Sequence, residues 1–141
     1  MPSELHVRAV HSGAMKMIVT NGHHELVTDY PLQPHETAEG LKPLELLLAS
    51  LAACGGSVVA LLLQRMQQPV VGLEVDVRGT RRDEHPTVFT HISMEFRVRG
   101  GGVNPAAVEQ AIVQARARLA PVWAMLEEST TIDATSIAIE E

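Results

Sequence analysis

The longest feature of the hydrophobic pattern is an uncharged run at residues 46–63. Pro43 suits the first turn of a helix, Glu45 suits the positive end of the helix dipole, and Pro69 ends the segment. The run is long enough to span a membrane. However, it contains serines and a glycine pair, and the segments around it have half-polar strand patterns that are typical of a water-soluble core. We therefore predict a buried central helix without a membrane partner.

A helix that is apolar on nearly all sides needs more cover than a chain of 141 residues usually provides. A second copy of the same chain is the simplest source of that cover. The hydrophobic pattern therefore predicts a homodimer.

Two segments after the long helix alternate between apolar and polar residues, which is the period of a half-buried strand. The apolar positions are Val71, Leu73, Val75 and Val77 in the first segment and Val88, Thr90, Ile92, Met94, Phe96 and Val98 in the second. A polar turn at 82–86 joins them, so we predict an antiparallel pair. A last strand is predicted at 130–139. Its inward face is ambiguous, because Ile132 differs in parity from Ile137 and Ile139, and a bulge would explain this.

The remaining elements are shorter. Segments at 6–10, 15–20 and 25–28 predict short strands with a turn at Asn21 and Gly22. Asn104 and Pro105 are a good cap and first-turn pair for a second helix, which Pro121 interrupts before a short apolar turn. Its predicted buried stripe is Val108, Ala111, Ile112, Ala115 and Leu119.

The order of elements is strands, long helix, two strands, helix and strand, which predicts a single α+β domain over residues 1–141. The one long irregular segment, at 30–41, contains two prolines and a glycine. Long loops in compact domains are often functional, and we expect this one to lie over the start of the long helix.

Composition and charge narrow the range of partners and compartments. The net charge is −6 and the basic residues form no cluster, which argues against nucleic acid as a partner. The N-terminal residues lack the basic start and apolar stretch of a signal peptide, and a single cysteine forms no internal disulfide. A cytoplasmic, reducing location is the expectation.

Most candidate sites for chemistry have simpler interpretations. The seven histidines show no metal-ligand spacing, so no metal or other cofactor is predicted. No nucleophile-elbow motif surrounds Ser50 or Ser57. The only thiol, Cys54, lies in the middle of the uncharged run. It is either an inert core cysteine or a reactive residue.

Several segments resemble one known family. They are PLEL at 43–46, ASLAAC at 49–54, QPV at 68–70, GLEV at 72–75, the Arg81-Arg82 and His85-Pro86 pairs, VFTHI at 88–92, the helix after Asn104, and the Pro121-Val122 turn. Together these segments resemble the OsmC-like branch of the OsmC/Ohr family of organic hydroperoxide-reducing proteins over nearly the whole chain. The resemblance implies an OsmC-like fold, with antiparallel sheets around two central helices. It also implies an intertwined homodimer with the thiol site at the subunit interface.

The resemblance also implies a role for Cys54. In the peroxidase branch, a cysteine at this position attacks a hydroperoxide, becomes a sulfenic acid and is resolved by a second cysteine. The second position aligns with Ala120, so this chain would need an external thiol. The glutamate of the family lies ten places before the cysteine, where this chain has Leu44. Glu45 is a tentative substitute, although it lies about 180° around the helix from Cys54 and suits a capping role.

A reactive thiolate also needs a nearby cation. The peroxidases of the family use an N-terminal arginine, and the N-terminal cations here are Arg8 and Lys16. Arg81 or Arg82 of the partner subunit is a tentative alternative. Both of these arginines also fit the simpler role of solvated turn residues.

Two functions follow as hypotheses. The first is reduction of organic hydroperoxides by Cys54 in the oxidative stress response, with a small apolar hydroperoxide as substrate and an external thiol as reductant. The second is a non-catalytic protein that binds a small molecule on the same fold.

Overall fold

The computed structural model describes residues 3–141. Contacts within the chain divide it into two compact units, one that ends at Leu47 and one that comprises Leu48–Glu141. The described residues form two three-stranded sheets and three α-helices, so the predicted α+β class is confirmed.

The N-terminal unit holds an antiparallel meander of β1 (Arg8–His11), β2 (Met17–Thr20) and β3 (Glu25–Thr28), as the three short apolar segments predicted. Asn21 makes the turn between β2 and β3, where its side-chain oxygen accepts the backbone N–H groups of His23 and His24 at 2.9 and 2.8 Å. Among residues 3–47, Thr28 is the only one that is buried. This sheet therefore has almost no core of its own.

The irregular segment 30–41 closes beside the first turn of the long helix. The Asp29 N–H donates to the Leu41 carbonyl at 3.0 Å, and Thr28 and Leu41 form an isolated parallel bridge. The Lys42 ammonium group lies 5.1 Å from the centre of the Tyr30 ring. The expectation that this loop lies at the start of the helix is confirmed.

The long helix α1 (Pro43–Arg65) begins in the N-terminal unit and continues in the C-terminal one. By length and composition alone it could cross a membrane. Its buried residues are Leu51, Gly55, Gly56, Val59, Leu62 and Leu63. Several of them belong to one hydrophobic core with the strands and helices of the C-terminal unit. Only 33% of the 18-residue apolar stretch of α1 is buried in the single chain, so the helix is less buried than its sequence predicts.

The sheet of the C-terminal unit has the order β4 (Gly72–Arg81), β5 (Phe89–Arg99) and β6 (Thr131–Ile139). β4 and β5 are antiparallel, as predicted. The prediction that Val71 is an apolar position of the first strand is wrong, because Val71 precedes β4 and is 68% exposed. β5 and β6 are parallel, whereas the resemblance implied antiparallel sheets throughout. The helical segment between them carries the chain back across the sheet, which is the usual connection for parallel strands.

The ambiguity in the last strand has a simple resolution. β6 pairs with β5 in unbroken register, and Ile132 is buried while Ile137 is exposed on the opposite face. The other positions of β6 on the buried face, in the same alternation as Ile132, are occupied by small residues. The irregularity in this sheet lies at Thr80 and Arg81 in β4 instead.

Helix α2 (Pro105–Gln114) begins as predicted, with the Asn104 side chain accepting the Ala106 N–H at 2.9 Å. It runs into a π-helical turn (Ala115–Leu119), and α3 (Pro121–Glu127) follows. The placement of Leu119 in the buried stripe is wrong, since Leu119 is 47% exposed and Ala120 is 2% exposed. In the π-helical turn the Ala120 N–H donates to the carbonyl of Ala115, five residues back. This wider turn contains one extra residue, so the next residue on the buried face after Ala115 is Ala120 and not Leu119.

Candidate functional site

Cys54 lies in the middle of α1 and is half-buried against the hydrophobic core. Its backbone carbonyl accepts a hydrogen bond from the Ser57 hydroxyl at 3.2 Å. Ser57 is therefore engaged with its own helix. As a residue, Cys54 is neither fully buried nor fully exposed in the single chain.

The glycine pair after Cys54 lets α1 approach two different walls of the core. A β-carbon placed on Gly55 would lie 3.1 Å from Met94 Cε, 3.5 Å from Trp123 Cε3 and 3.6 Å from Phe96 Cζ. A β-carbon on Gly56 would lie 3.0 Å from Val75 Cγ2 and 3.7 Å from Leu73 Cδ2. The helical turn that carries Cys54 therefore lies close to these side chains, because the two glycines place no side chain between the helix and its neighbours.

Trp123 is the largest side chain in the Gly55 wall, and it is fully buried. Its ring stacks on Phe96 with a centroid distance of 6.1 Å and an angle of 15° between the planes. The Arg116 guanidinium carbon lies 5.6 Å from the centre of the Trp123 ring, a cation–π contact. The indole N–H has no hydrogen-bond partner among the described residues.

Arg116 is itself held in place from two sides. Its Nε donates to Glu127 Oε1 at 2.6 Å, and its Nη2 donates to the Ile132 carbonyl at 2.9 Å. The guanidinium group therefore joins the π-helical turn, α3 and β6 around the indole. Arg116 has a planar fork of donors and can make these contacts together, which a lysine cannot do.

Ala120, the position that the resemblance aligns with the second cysteine of the peroxidases, lies at the end of the π-helical turn and belongs to the hydrophobic core. The chain contains no cysteine other than Cys54. No disulfide within one chain can therefore resolve an oxidised Cys54.

Glu45, a tentative site residue, caps the helix. Its Oε1 accepts the backbone N–H of Lys42 at 2.8 Å, while the Lys42 carbonyl accepts the N–H of Leu46 at 2.9 Å. A glutamate in the first turn that reaches back to the N–H of the capping residue is half of a capping box. This contact favours the capping interpretation over a role beside the thiol.

Arg81 and Arg82, the other tentative site residues, lie at the end of β4 and in the turn that follows, and both are exposed. Arg82 Nε donates to the carbonyls of Pro86 at 2.7 Å and of Glu84 at 3.2 Å, so its side chain holds the turn together. Arg81 forms no ion pair within the part of the chain that the structure describes. Within the chain, these contacts favour the interpretation of Arg82 as a turn residue, and Arg81 is the exposed last residue of β4.

The two N-terminal cations belong to the N-terminal unit. Arg8 begins β1 and is exposed. Lys16 donates to Glu39 Oε2 at 2.6 Å. This hydrogen bond and the charge of Glu39 raise the pKa of Lys16.

Sequence reasoning missed the Arg116–Trp123 contact. Trp123 was predicted in a short apolar turn, and Arg116 was not singled out. The glycine pair next to the only thiol was a usable signal, because buried glycines in a helix indicate close packing. Within residues 3–141, no three His, Cys, Asp or Glu side chains form a cluster that could hold a metal ion.

Comparisons with known proteins agree with this fold. A model of the family described as OsmC-like protein matches residues 35–135. The protein YhfA from Escherichia coli strain K12 is 36% identical over 90 residues, which are 64% of this chain and 67% of YhfA. Both matched regions are large parts of the chain.

Two solved structures illustrate the structural likeness. A hypothetical protein from Aquifex aeolicus VF5 has a TM-score of 0.89 and 25% identity, with 99% of each chain covered. An organic hydroperoxide resistance protein OsmC from Legionella pneumophila has a TM-score of 0.71 and 15% identity, with 95% of this chain and 96% of that chain covered. At 15% identity the second likeness concerns the fold alone.

Proposed function

Because the chain belongs to the OsmC-like family, we propose that it is a thiol protein that reduces organic hydroperoxides at Cys54 as part of the oxidative stress response. The observation that carries the proposal is the position of Cys54, which is half-buried in the uncharged run 46–63 of α1 and is the only thiol of the chain. One protein that shares this fold is an organic hydroperoxide resistance protein, which makes peroxide chemistry the activity to test first.

The proposed reaction begins with attack of the Cys54 thiolate on the outer oxygen of the hydroperoxide. The S–O bond forms as the O–O bond breaks, and the alkoxide that leaves takes a proton and departs as the alcohol. Cys54 is thereby oxidised to a sulfenic acid, and the hydroperoxide is reduced. The apolar residues of α1 on both sides of Cys54 favour a small apolar organic hydroperoxide as the substrate.

An external thiol is proposed to complete the cycle. A first thiol condenses with the sulfenic acid, releases water and leaves a mixed disulfide on Cys54. A second thiol attacks that disulfide, which releases Cys54 as a thiol and leaves the two reductant thiols joined in a disulfide. The need for this reductant follows from Ala120 and from the absence of a second cysteine. A reducing cytoplasm, which is the proposed location, supplies such thiols.

The proposal is tested by incubating the purified protein with an organic hydroperoxide and a sulfenic-acid trapping reagent, followed by mass spectrometry. We expect one adduct per chain, on the peptide that contains Cys54, and none in a Cys54→Ser control. An unmodified Cys54 at a large excess of hydroperoxide would contradict the proposal.

A homodimer is part of the proposal. The sheet β1–β3 has almost no core, and a sheet must bury its apolar positions against another element to be stable. Helix α1 also leaves Leu47 and Leu61 exposed. Members of the OsmC-like family are soluble proteins, so a second copy is a better source of cover for these residues than a membrane.

A second candidate function is binding of a small molecule without catalysis. It is favoured by Leu44 and Ala120, which replace two functional positions that the resemblance implies for the peroxidases. A Cys54→Ser protein that binds the same small apolar ligand as strongly as the unchanged protein would favour this function. Measurable hydroperoxide turnover that depends on Cys54 would favour the first.

A further inference from the structure

We propose that Arg116 is a positioning residue for Cys54 and that it acts through Trp123. The inference deepens the proposed function and rests on Cys54 being the reactive thiol. The contact between Arg116 and Trp123 has no role in the proposed reaction itself, and this inference gives it one.

The physical link runs through the packing of α1. Trp123 faces α1 at Gly55, where a β-carbon would lie 3.5 Å from Cε3 of the indole and where the glycine places no side chain between the helix and the ring. Protein interiors are close-packed, so a displacement of the indole displaces the backbone that rests on it. Gly55 is the next residue after Cys54, and a shift of this turn changes the direction of the thiol.

Arg116 fixes the indole from the side of the π-helical turn. Its guanidinium group lies against the ring and is held by Glu127 and by the Ile132 carbonyl. Loss of the guanidinium would remove the cation–π contact and leave the indole free to tilt. Reactions that need defined geometry are sensitive to small misplacements, and a shift of about 1 Å can cost about 100-fold in rate.

The same turn provides a matched control. Arg118 also belongs to the π-helical turn, carries the same charge and is exposed, with no ion pair in residues 3–141. An Arg118→Gln variant therefore removes one positive charge from the same element without touching the indole. Arg116→Lys keeps the charge and is the conservative variant that tests rescue.

The first experiment measures the second-order rate of Cys54 oxidation by an organic hydroperoxide in folded protein, with thermal unfolding as a check on the fold. Arg116→Gln is expected to lower this rate by roughly threefold to tenfold, because Arg116 acts on the thiol only through the indole and the resulting shift of the thiol should be smaller than about 1 Å. Arg116→Lys is expected to recover part of the loss, and Arg118→Gln to leave the rate unchanged. An unchanged or higher rate in Arg116→Gln, or an equal loss in Arg118→Gln, would overturn the proposal.

The second experiment is a double-mutant cycle with the two glycines. Gly55→Ala places a methyl group 3.1 Å from Met94 Cε and 3.5 Å from Trp123 Cε3, whereas Gly56→Ala places one 3.0 Å from Val75 Cγ2, with no indole atom within 4 Å. The effects of Arg116→Gln and Gly55→Ala on the Cys54 rate should be non-additive, and those of Arg116→Gln and Gly56→Ala should add. Additivity in both pairs would contradict a path through Trp123.

The same series with iodoacetamide separates this inference from the proposed function. If the hydroperoxide leaves Cys54 unmodified in the unchanged protein, the proposed function fails, whereas the alkylation rates still report how Arg116 affects the thiol. Equal alkylation rates for unchanged protein and Arg116→Gln would then overturn the positioning role.

Discussion

The two sheets of the chain have three strands each and differ in what covers them. In the sheet β4–β6, Ile92, Met94, Phe96 and Val98 of β5 are buried in the core that also contains residues of α1 and α2. In the sheet β1–β3, Thr28 is the only buried residue, and Val10 and Leu26 are exposed. Similar β-branched and aliphatic strands therefore give a core in one unit and exposed apolar positions in the other.

The difference shows that the hydrophobic effect stabilises a sheet only where another element removes its side chains from water. The C-terminal unit contains its own covering helices. The N-terminal unit has one long loop and the first turn of α1 besides its strands. The proposed homodimer would supply the missing cover from a second chain.

The largest effect is expected from a substitution in the covered sheet. Phe96→Ala removes a fully buried ring that stacks on Trp123 and should destabilise the chain by about 3–5 kcal/mol. Leu26→Ala, in β3, should cost about 1 kcal/mol or less in single chains, since Leu26 is 41% exposed. Urea unfolding at low protein concentration measures both. Equal losses would contradict the difference between the sheets.

Dilution tests the proposed cover of the first sheet. If folding and dimer formation are coupled, each tenfold dilution should lower the apparent stability by about 1.4 kcal/mol and shift the unfolding midpoint. Leu26→Glu should shift the chain toward the monomer in sedimentation velocity, because a charge would be buried in the interface. A single-chain mass for the unchanged protein at all concentrations would refute the homodimer.

A smaller effect is expected at the start of α1. Glu45→Ala removes the acceptor for the Lys42 N–H and should cost about 1 kcal/mol, while Glu45→Gln keeps an acceptor and should cost less. Thermal unfolding distinguishes the two variants. Neither should alter the rate at which hydroperoxide oxidises Cys54. If both variants lose that reaction while stability is retained, Glu45 acts in the site after all.

The smallest effect belongs to an exposed ion pair of the N-terminal unit. The hydrogen bond from Lys16 to Glu39 raises the pKa of Lys16 in the folded state. Its stabilising contribution is therefore complete below the unfolded pKa of about 10.4 and is lost as the pH rises through the higher folded value. Glu39→Gln should lower the pKa of Lys16, as followed by NMR titration. A pKa that does not change in this variant would show that the pair does not form in solution.

Much of the fold was predictable because its residue patterns are local. Alternation in β4 and β5, the caps at Asn104 and Pro105, and the uncharged run of α1 each correspond to an observed element. The π-helical turn was not predictable, since it depends on a hydrogen bond from Ala120 to Ala115 that no residue type signals. The prediction therefore placed Leu119 in the core.

The candidate site was predictable only in part. Cys54 is evident as the single thiol, in the middle of an uncharged run. Its surroundings depend on contacts between segments far apart in the chain, such as Gly55 with Trp123 and Arg116 with the Ile132 carbonyl. Periodicity does not report such contacts. The parallel pairing of β6 was missed because the resemblance implied antiparallel sheets, although the helical connection between β5 and β6 favours parallel strands.

The most direct test of the reactive role of Cys54 is a single-turnover measurement with one equivalent of organic hydroperoxide and no added thiol. If Cys54 is reactive, each chain should form one molecule of the alcohol and lose one titratable thiol. A later addition of an external thiol should restore Cys54 and allow further turnover. A chain that forms no alcohol, or a Cys54→Ser variant that forms as much as the unchanged protein, would contradict the reactive role of Cys54.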